Sequence, residues 1–311
     1  MTRFILRRLQ TILIISLAII FFCALGLRLM RHTPGHTAPE VLSQAAGDTV
    51  SFLRNLPQGH LGIVYRSSGR RRVAIEVTSV VADTYVKSMG LLLISLLFAA
   101  ALGVGLGSLA AYWEGSPLSL ALMTSTVLGV SLPTFFSALL LQVIEIRWYQ
   151  RTGMRLVPVG GFGWDAHLVL PALVLAARPL AQVARITFAS LSEAAQQDYV
   201  RTARAKGLHP RAVWSSHVAP NAAVPILTAL GVSLRFSLGS LPVVEYYFSW
   251  PGLGATLLSA IRAQQFNLVA ALALALGLTF MLINLLLELS YRAVDPRLRV
   301  INEASNEMRD M

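Results

Sequence analysis

The amino-acid sequence predicts an all-α membrane protein with six transmembrane helices. Three observations carry that prediction. Of the 311 residues, 55% are hydrophobic and 13% charged, whereas soluble domains carry about a quarter charged residues. So few charges cannot cover the outside of a soluble core this apolar. Six apolar runs, Leu9–Leu29, Met89–Ala111, Leu118–Ile144, Leu168–Ala189, Ala222–Val244 and Leu268–Leu289, are each near or above the roughly 20 residues a helix needs to cross a bilayer. The stretch from Ser190 to Pro225 opens the longest polar interruption in the second half of the chain.

The N-terminus sets Arg3, Arg7 and Arg8 ahead of the first run. A secretory signal is the competing reading, and Ala24-Leu25-Gly26 is a weak cleavage-like site. Signal cores are usually about 7–15 residues, shorter than this run, so residues 1–29 read as a tail and an uncleaved first helix. Residues 30–86 are polar to mixed, with Pro34-Gly35, Pro57, Gly59-His60-Leu61-Gly62 and the basic cluster Arg70-Arg71-Arg72. They read as one small extramembrane segment, too short for an independent enzyme domain. Residues 87–300 form a five-helix core, and 301–311 a C-terminal tail. Gly103, Gly105, Gly107 and Gly129 allow close helix approach. Pro133, Pro171, Pro179 and Pro242 predict kinks in the spans. A net charge of +11 is better matched to lipid headgroups and partner proteins than to nucleic acid in so apolar a chain. The single cysteine, Cys23, permits no internal disulfide.

Within residues 190–222, Ser190-Leu191-Ser192-Glu193 reads as a capping box. Glu193 and Asp198 sit early in the predicted helix, and Arg201, Arg204 and Lys206 late, which complements the helix dipole. Gly207 is a natural residue to follow a helix end in the left-handed conformation. Pro210 can open a second short helix. The chain thus leaves the membrane, forms a helix–Gly–helix elbow, and returns at Pro220 to Pro225.

Several chemistries are absent from the sequence. No G-x-x-x-x-G-K-[ST] phosphate cradle occurs, so ATP must be hydrolysed by another chain. Among the six histidines, only His32 and His36 have i,i+4 spacing, and Pro34-Gly35 between them disfavours one helix; no metal site is expected. No G-x-S-x-G elbow appears. Polar residues inside the spans are Gln142, Gln182, Asn284, Glu288, Arg178 and Arg235. Asn284 and Glu288 read as structural. For Arg178 and Arg235 two readings stand side by side. One is a structural pairing with a neighbouring carboxylate; the other is a place on an aqueous pathway, where charge in hydrocarbon usually points.

The order Asp198-Tyr199-Val200-Arg201-Thr202-Ala203-Arg204-Ala205-Lys206-Gly207, followed by His217, Asn221 and Pro225, resembles the cytoplasmic coupling loop of ABC-transporter permeases of the dipeptide/oligopeptide/nickel importer class. The resemblance extends over Gly59–Gly62, Ser131-Leu132-Pro133 and Leu170-Pro171-Ala172-Leu173. It continues through Val244-Glu245, Phe248-Ser249-Trp250-Pro251-Gly252-Leu253-Gly254, Asn284, Tyr291 and Asp295-Pro296-Arg297. The chain departs from the class at Pro34-Gly35-His36-Thr37, and at Arg178 and Arg235, where small residues are usual.

The resemblance implies a transport subunit of the bacterial inner membrane rather than an enzyme. Its coupling loop, with Glu193, Asp198, Tyr199, Arg201, Ala203, Arg204, Ala205, Lys206 and Gly207, would seat in a separate ATPase. It implies a second homologous permease subunit, two ATP-binding subunits and an external solute-binding protein. No cofactor would bind this chain, and ATP and Mg would sit on the ATPases. Counting Lys and Arg on the loops gives twelve on each side of the membrane, so the positive-inside rule is tied. The resemblance puts both termini in the cytoplasm and 30–86 outside. Peptide, nickel chelate, glutathione-like and polyamine solutes all fit. A non-conducting membrane scaffold for an ATPase is the competing class.

Overall fold

The structure, a computed structural model, describes residues 2–31, 37–68 and 71–294. The fold is that of an all-α membrane protein with one small hairpin, and its contacts divide it into two compact units.

The first unit comprises residues 1–90, 160–162 and 245–285. Helix α1 (Thr2–Arg31) is the first span. Helix α2 (Ala38–Asn55) follows, in a segment the sequence reading treats as loop. Its signal is Thr37-Ala38-Pro39-Glu40, a capping box with proline in the first turn. The Glu40 carboxylate accepts the Thr37 N–H at 3.1 Å. Arg28 ties the two helices together, donating to Asp48 at 2.7 Å and to Gln44 at 2.5 Å. Strands β1 (Ile63–Ser68) and β2 (Arg71–Glu76) pair antiparallel, from Ile63 opposite Glu76 to Ser68 opposite Arg71. This hairpin is the second departure from expectation. Its trace in the sequence is two β-branched runs separated by two residues, the first a glycine. Arg70, His32, Pro34, Gly35 and His36 lie outside the described residues, as do the side chains of Arg71, Arg72 and Tyr291 and all of 295–311. Helix α3 (Val77–Tyr112) begins at Val77 rather than Met89. With α10 (Leu253–Arg262) and α11 (Phe266–Val294) it closes a core of Ile20, Phe52, Val77, Leu253, Val269 and Leu272. Phe52 meets Phe266 edge to face at 6.0 Å. Asn284 donates to its own helix at Phe280 O, 2.8 Å, in keeping with a structural role.

The second unit comprises residues 91–159, 163–244 and 286–311. The predicted third span is broken. Helices α4 (Pro117–Ser131) and α5 (Thr134–Thr152) meet at 107°. Pro133 has no N–H for the ladder and disfavours helical backbone at Leu132, so it ends one helix and starts another instead of kinking one. Five helices are thus long and apolar enough to span, and the bent pair makes a sixth. Helix α6 (Val169–Ala195) carries Pro171 in its first turn, where no donor is needed, so no kink is required there; Pro179 lies in its interior. Small residues bring neighbours onto α6. A Cβ on Gly107 would stand 2.5 Å from Ala184 O, and one on Gly129 2.9 Å from Ala177 O. Gly103 faces Val183 similarly, whereas Gly105 meets nothing within 4 Å.

The elbow follows as α7 (Asp198–Ala205) and α8 (Pro210–Val213), then one π-helical turn over Trp214–Val218. Helix α9 (Ala219–Tyr247) completes the unit, with Pro225 and Pro242 inside it. The wider π turn comes just ahead of Pro220, whose ring crowds the carbonyl four residues back.

Candidate functional site

The elbow departs from expectation at its start. Helix α6 runs through Ala195, so Ser190–Glu193 lies in its last turns and caps nothing. The Ser192 hydroxyl is buried without a partner. Gln197, extended at ψ 151°, precedes α7 without a side-chain cap; its carbonyl accepts the Val200 N–H at 3.0 Å and the Arg201 N–H at 3.2 Å. The far end is as expected. Gly207 has φ 78°, its N–H reaches Arg204 O at 3.0 Å, and the Leu208 N–H reaches Ala203 O at 3.4 Å. This pair of bonds is a Schellman motif, which satisfies carbonyls a helix end would otherwise leave open. Pro210 opens α8, and the His209 ring accepts the Arg211 N–H at 3.2 Å. Asn221 donates to His217 O at 2.7 Å.

Val200 and Ala203 are buried against Leu191, Ala194, Val213 and Val218, in a cluster that also includes Ala111 and Ala222. Ala203 therefore faces the protein's own core, and a partner would meet the opposite face. That face exposes Asp198, Tyr199, Arg201, Arg204, Ala205 and Lys206. Its one ion pair, Arg201–Asp198 at 3.4 Å, is solvent-exposed and adds little stability. The surface is instead a patch of excess positive charge, which steers an acidic partner.

Helix α6 presents a second arrangement. From residue 178 onward its exposed positions are Arg178, Arg185, Ala189 and Glu193, with half-buried Gln182 between the two arginines. The spacing places all five on one face. Over this stretch the buried positions are mostly apolar and the exposed ones mostly polar, whereas Val169 and Leu173 at the start of the helix are exposed as well. Arg178 also lies over the Phe236 ring of α9, 4.6 Å from its centroid. The neighbouring Arg235 has its Nε buried without a hydrogen-bond partner. Arg178 thus meets α9 at the residue next to Arg235 in sequence, and Arg185 joins Arg178 on the face of α6.

A third cluster, within the first unit, ties the Phe248–Gly254 string to α3. Glu245 is fully buried. Its carboxylate accepts the backbone N–H of Gly254 at 2.7 Å and of Ala255 at 3.1 Å, and also the Ser88 hydroxyl. Ser88 Oγ in turn accepts the Leu253 N–H at 2.7 Å. Three orphan donors of α10 are so satisfied from outside the helix. Gly252 stands at the cap position, and a Cβ there would fall 2.1 Å from the Glu245 carboxylate. Trp250 donates its indole N–H to Lys87 O at 3.1 Å. Ser88 gives no signal in the sequence. Glu145 in α5 is a further buried carboxylate the sequence reading misses. It accepts Leu156 N–H at 2.9 Å and pins the following loop. Among the described residues no three His, Cys, Asp or Glu side chains gather as metal ligands.

The comparisons with known proteins agree with this layout. Residues 103–300 match the family of binding-protein-dependent transport system inner membrane components. The glutathione transport system permease protein GsiC of Escherichia coli K12 is 36% identical over 251 residues, 80% of this chain and 78% of that protein. A probable peptide ABC transporter permease protein of Sinorhizobium fredii, y4tP, is 30% identical over 312 residues, 95% of this chain and 99% of its own length. The crystal structure of an amino acid ABC transporter with histidines shares the fold, with a TM-score of 0.55 at 17% identity over 70% of this chain and 94% of that one. The chain belongs to the binding-protein-dependent ABC permeases: it is an inner-membrane transport subunit, served by separate ATPase and solute-binding components, and not itself an enzyme.

Proposed function

We propose that this chain is one of two permease subunits that together line the pathway of a peptide importer. The observation that carries the reading is the exposed polar face of α6, Arg178–Gln182–Arg185. An open helix face that carries two guanidinium groups requires water or a second subunit beside it. The relatives named for peptide and glutathione transport favour a peptide solute. A polyamine would be repelled by the same guanidinium groups. The outward face of α7, with Asp198, Tyr199, Arg201, Arg204, Ala205 and Lys206, docks on an ATPase in the cytoplasm; Glu193 lies beside it at the end of α6. ATP and Mg2+ belong to the two ATPases. Both termini are cytoplasmic, and α2 with the β1–β2 hairpin stands outside, where the solute-binding protein arrives.

The test is reconstitution of this chain with its neighbouring permease, ATPases and binding protein in liposomes. ATP-dependent accumulation of a labelled dipeptide, lost when the second permease is omitted, is the expected result. Stimulated ATP hydrolysis without accumulation of any peptide would favour the scaffold reading.

A further inference from the structure

The arginines of the second unit carry the reading one step further, to the charge of the solute. Arg178 and Arg235 lie on different helices that meet at the elbow. At 1.5 Å per residue they stand about 26 Å and about 24 Å from the elbow ends of α6 and α9. They are therefore at matched depth, and the Arg178 guanidinium over Phe236 puts it against α9 at the residue next to Arg235. Arg185 continues the face two turns nearer the elbow.

The carboxylates on these helices stand away from the arginines: Glu193 lies eight residues beyond Arg185, and Glu245, ten residues beyond Arg235, is taken up by Ser88 and the start of α10. Neither Asp nor Glu occurs between Val169 and Ser192 in α6, or between Ala219 and Val244 in α9. Among the described residues, no ion pair involves Arg178, Arg185 or Arg235. Nε of Arg235 is already shielded from solvent and has no acceptor. An unpaired buried donor on a charged group is costly, and a carboxylate is the acceptor that a guanidinium fork fits best.

A dipeptide without side-chain charge brings one carboxylate and one ammonium. Among the arginines the cationic face offers the ammonium only the neutral amide of Gln182. A peptide with an additional side-chain carboxylate brings net negative charge to a site that has only positive charge. Resting on the importer reading above, we propose that Arg178, Arg185 and Arg235 form a carboxylate-binding track that makes this permease selective for anionic peptides.

The experiment compares alanyl-glutamate with alanyl-glutamine, nearly equal in size, in the complete reconstituted transporter with both peptides saturating the binding protein. The expected result is faster uptake of alanyl-glutamate by about tenfold, the effect of one hydrogen bond to a charged group. The double variant Arg178→Met, Arg235→Met should erase that ratio by slowing alanyl-glutamate far more than alanyl-glutamine, and the corresponding double Lys variant should keep part of it. Equal rates in the wild type would overturn the anionic selectivity and leave the importer reading standing. Equal loss of both peptides in the Met variant, with release of the second permease on gel filtration, would also overturn it, because the arginines would then serve a carboxylate of that subunit. Failure of the wild type to move either peptide would overturn the importer reading together with this one.

Discussion

At Glu245 one carboxylate supplies the cap that Gly252 cannot. The consequence is that each partner is sensitive to a small change. Gly252→Ala would force a methyl group into the carboxylate, and overpacking of this kind costs about 1–3 kcal/mol. Ser88→Ala strands the Leu253 N–H, which costs about 1–3 kcal/mol when buried. Both variants should melt earlier in detergent and be cut faster by protease within 248–253. Unchanged cleavage would show that the clasp does not hold the loop. Asp165 gives a pH-dependent case. Its carboxylate accepts the His167 backbone N–H at 3.0 Å and lies 2.7 Å from the ring, and these bonds pull its pKa below the usual value. A depressed carboxylate stabilises above its unfolded pKa, about 3.9, and that contribution is lost as pH falls through the lower folded value. Protection of the His167 amide, measured relative to the unfolded chain at the same pH, should therefore hold at pH 5 and fall only at more acidic pH.

Among the elements, the elbow divides cleanly into an inward and an outward face. Ala203→Asp places a charge in the cluster around Val200 and Val213, at a cost of at least about 2 kcal/mol, so it should loosen the elbow itself. Gly207→Ala imposes a Cβ on a left-handed residue, worth about 1–2 kcal/mol. Arg204→Glu lies on the outward face. It should leave protease resistance intact and abolish stimulation of ATP hydrolysis by the binding protein; full stimulation would remove α7 as the docking element. The helix end at Gly207 and the start at Pro210 were legible in the sequence because each rests on one residue's backbone preference. The start of α7 was not, because Ser190-x-x-Glu193 carries the capping pattern while tertiary packing of Leu191 and Ala194 carries α6 past it. The break at Pro133 was foreseen as a kink, since a proline announces a lost hydrogen bond but not how far the axis turns. Helix α2 and the hairpin had local signals that their polar composition obscured. The convergence of Arg178 on Phe236, and of Ser88 on Glu245 across 157 positions, depends on which helices become neighbours, and no local pattern encodes that.

For the molecule as a whole, helix count and topology fix which loops share a side. On the six-span reading proposed above, both termini share a side. The loop at Glu114 falls on the side of the elbow, since Ala111 packs in the elbow's cluster. In a Cys23→Ser background, Ser68→Cys should react with an impermeant thiol reagent in intact cells. Glu114→Cys and Ser305→Cys should react only after permeabilisation. Labelling of Glu114→Cys from outside would invert the assignment.

The open cationic face of α6 also bears on how the protein is made. A chain released into the bilayer ahead of its companion subunit would hold Arg178 against acyl chains, at about 2.5–3.5 kcal/mol on the insertion scale. Such a nascent chain is marginal until assembly covers that face, and membrane-bound proteases remove marginal chains. On the proposed two-permease assembly, its cellular half-life would be set by supply of the companion, so matched synthesis of the two subunits would be a requirement written into one helix.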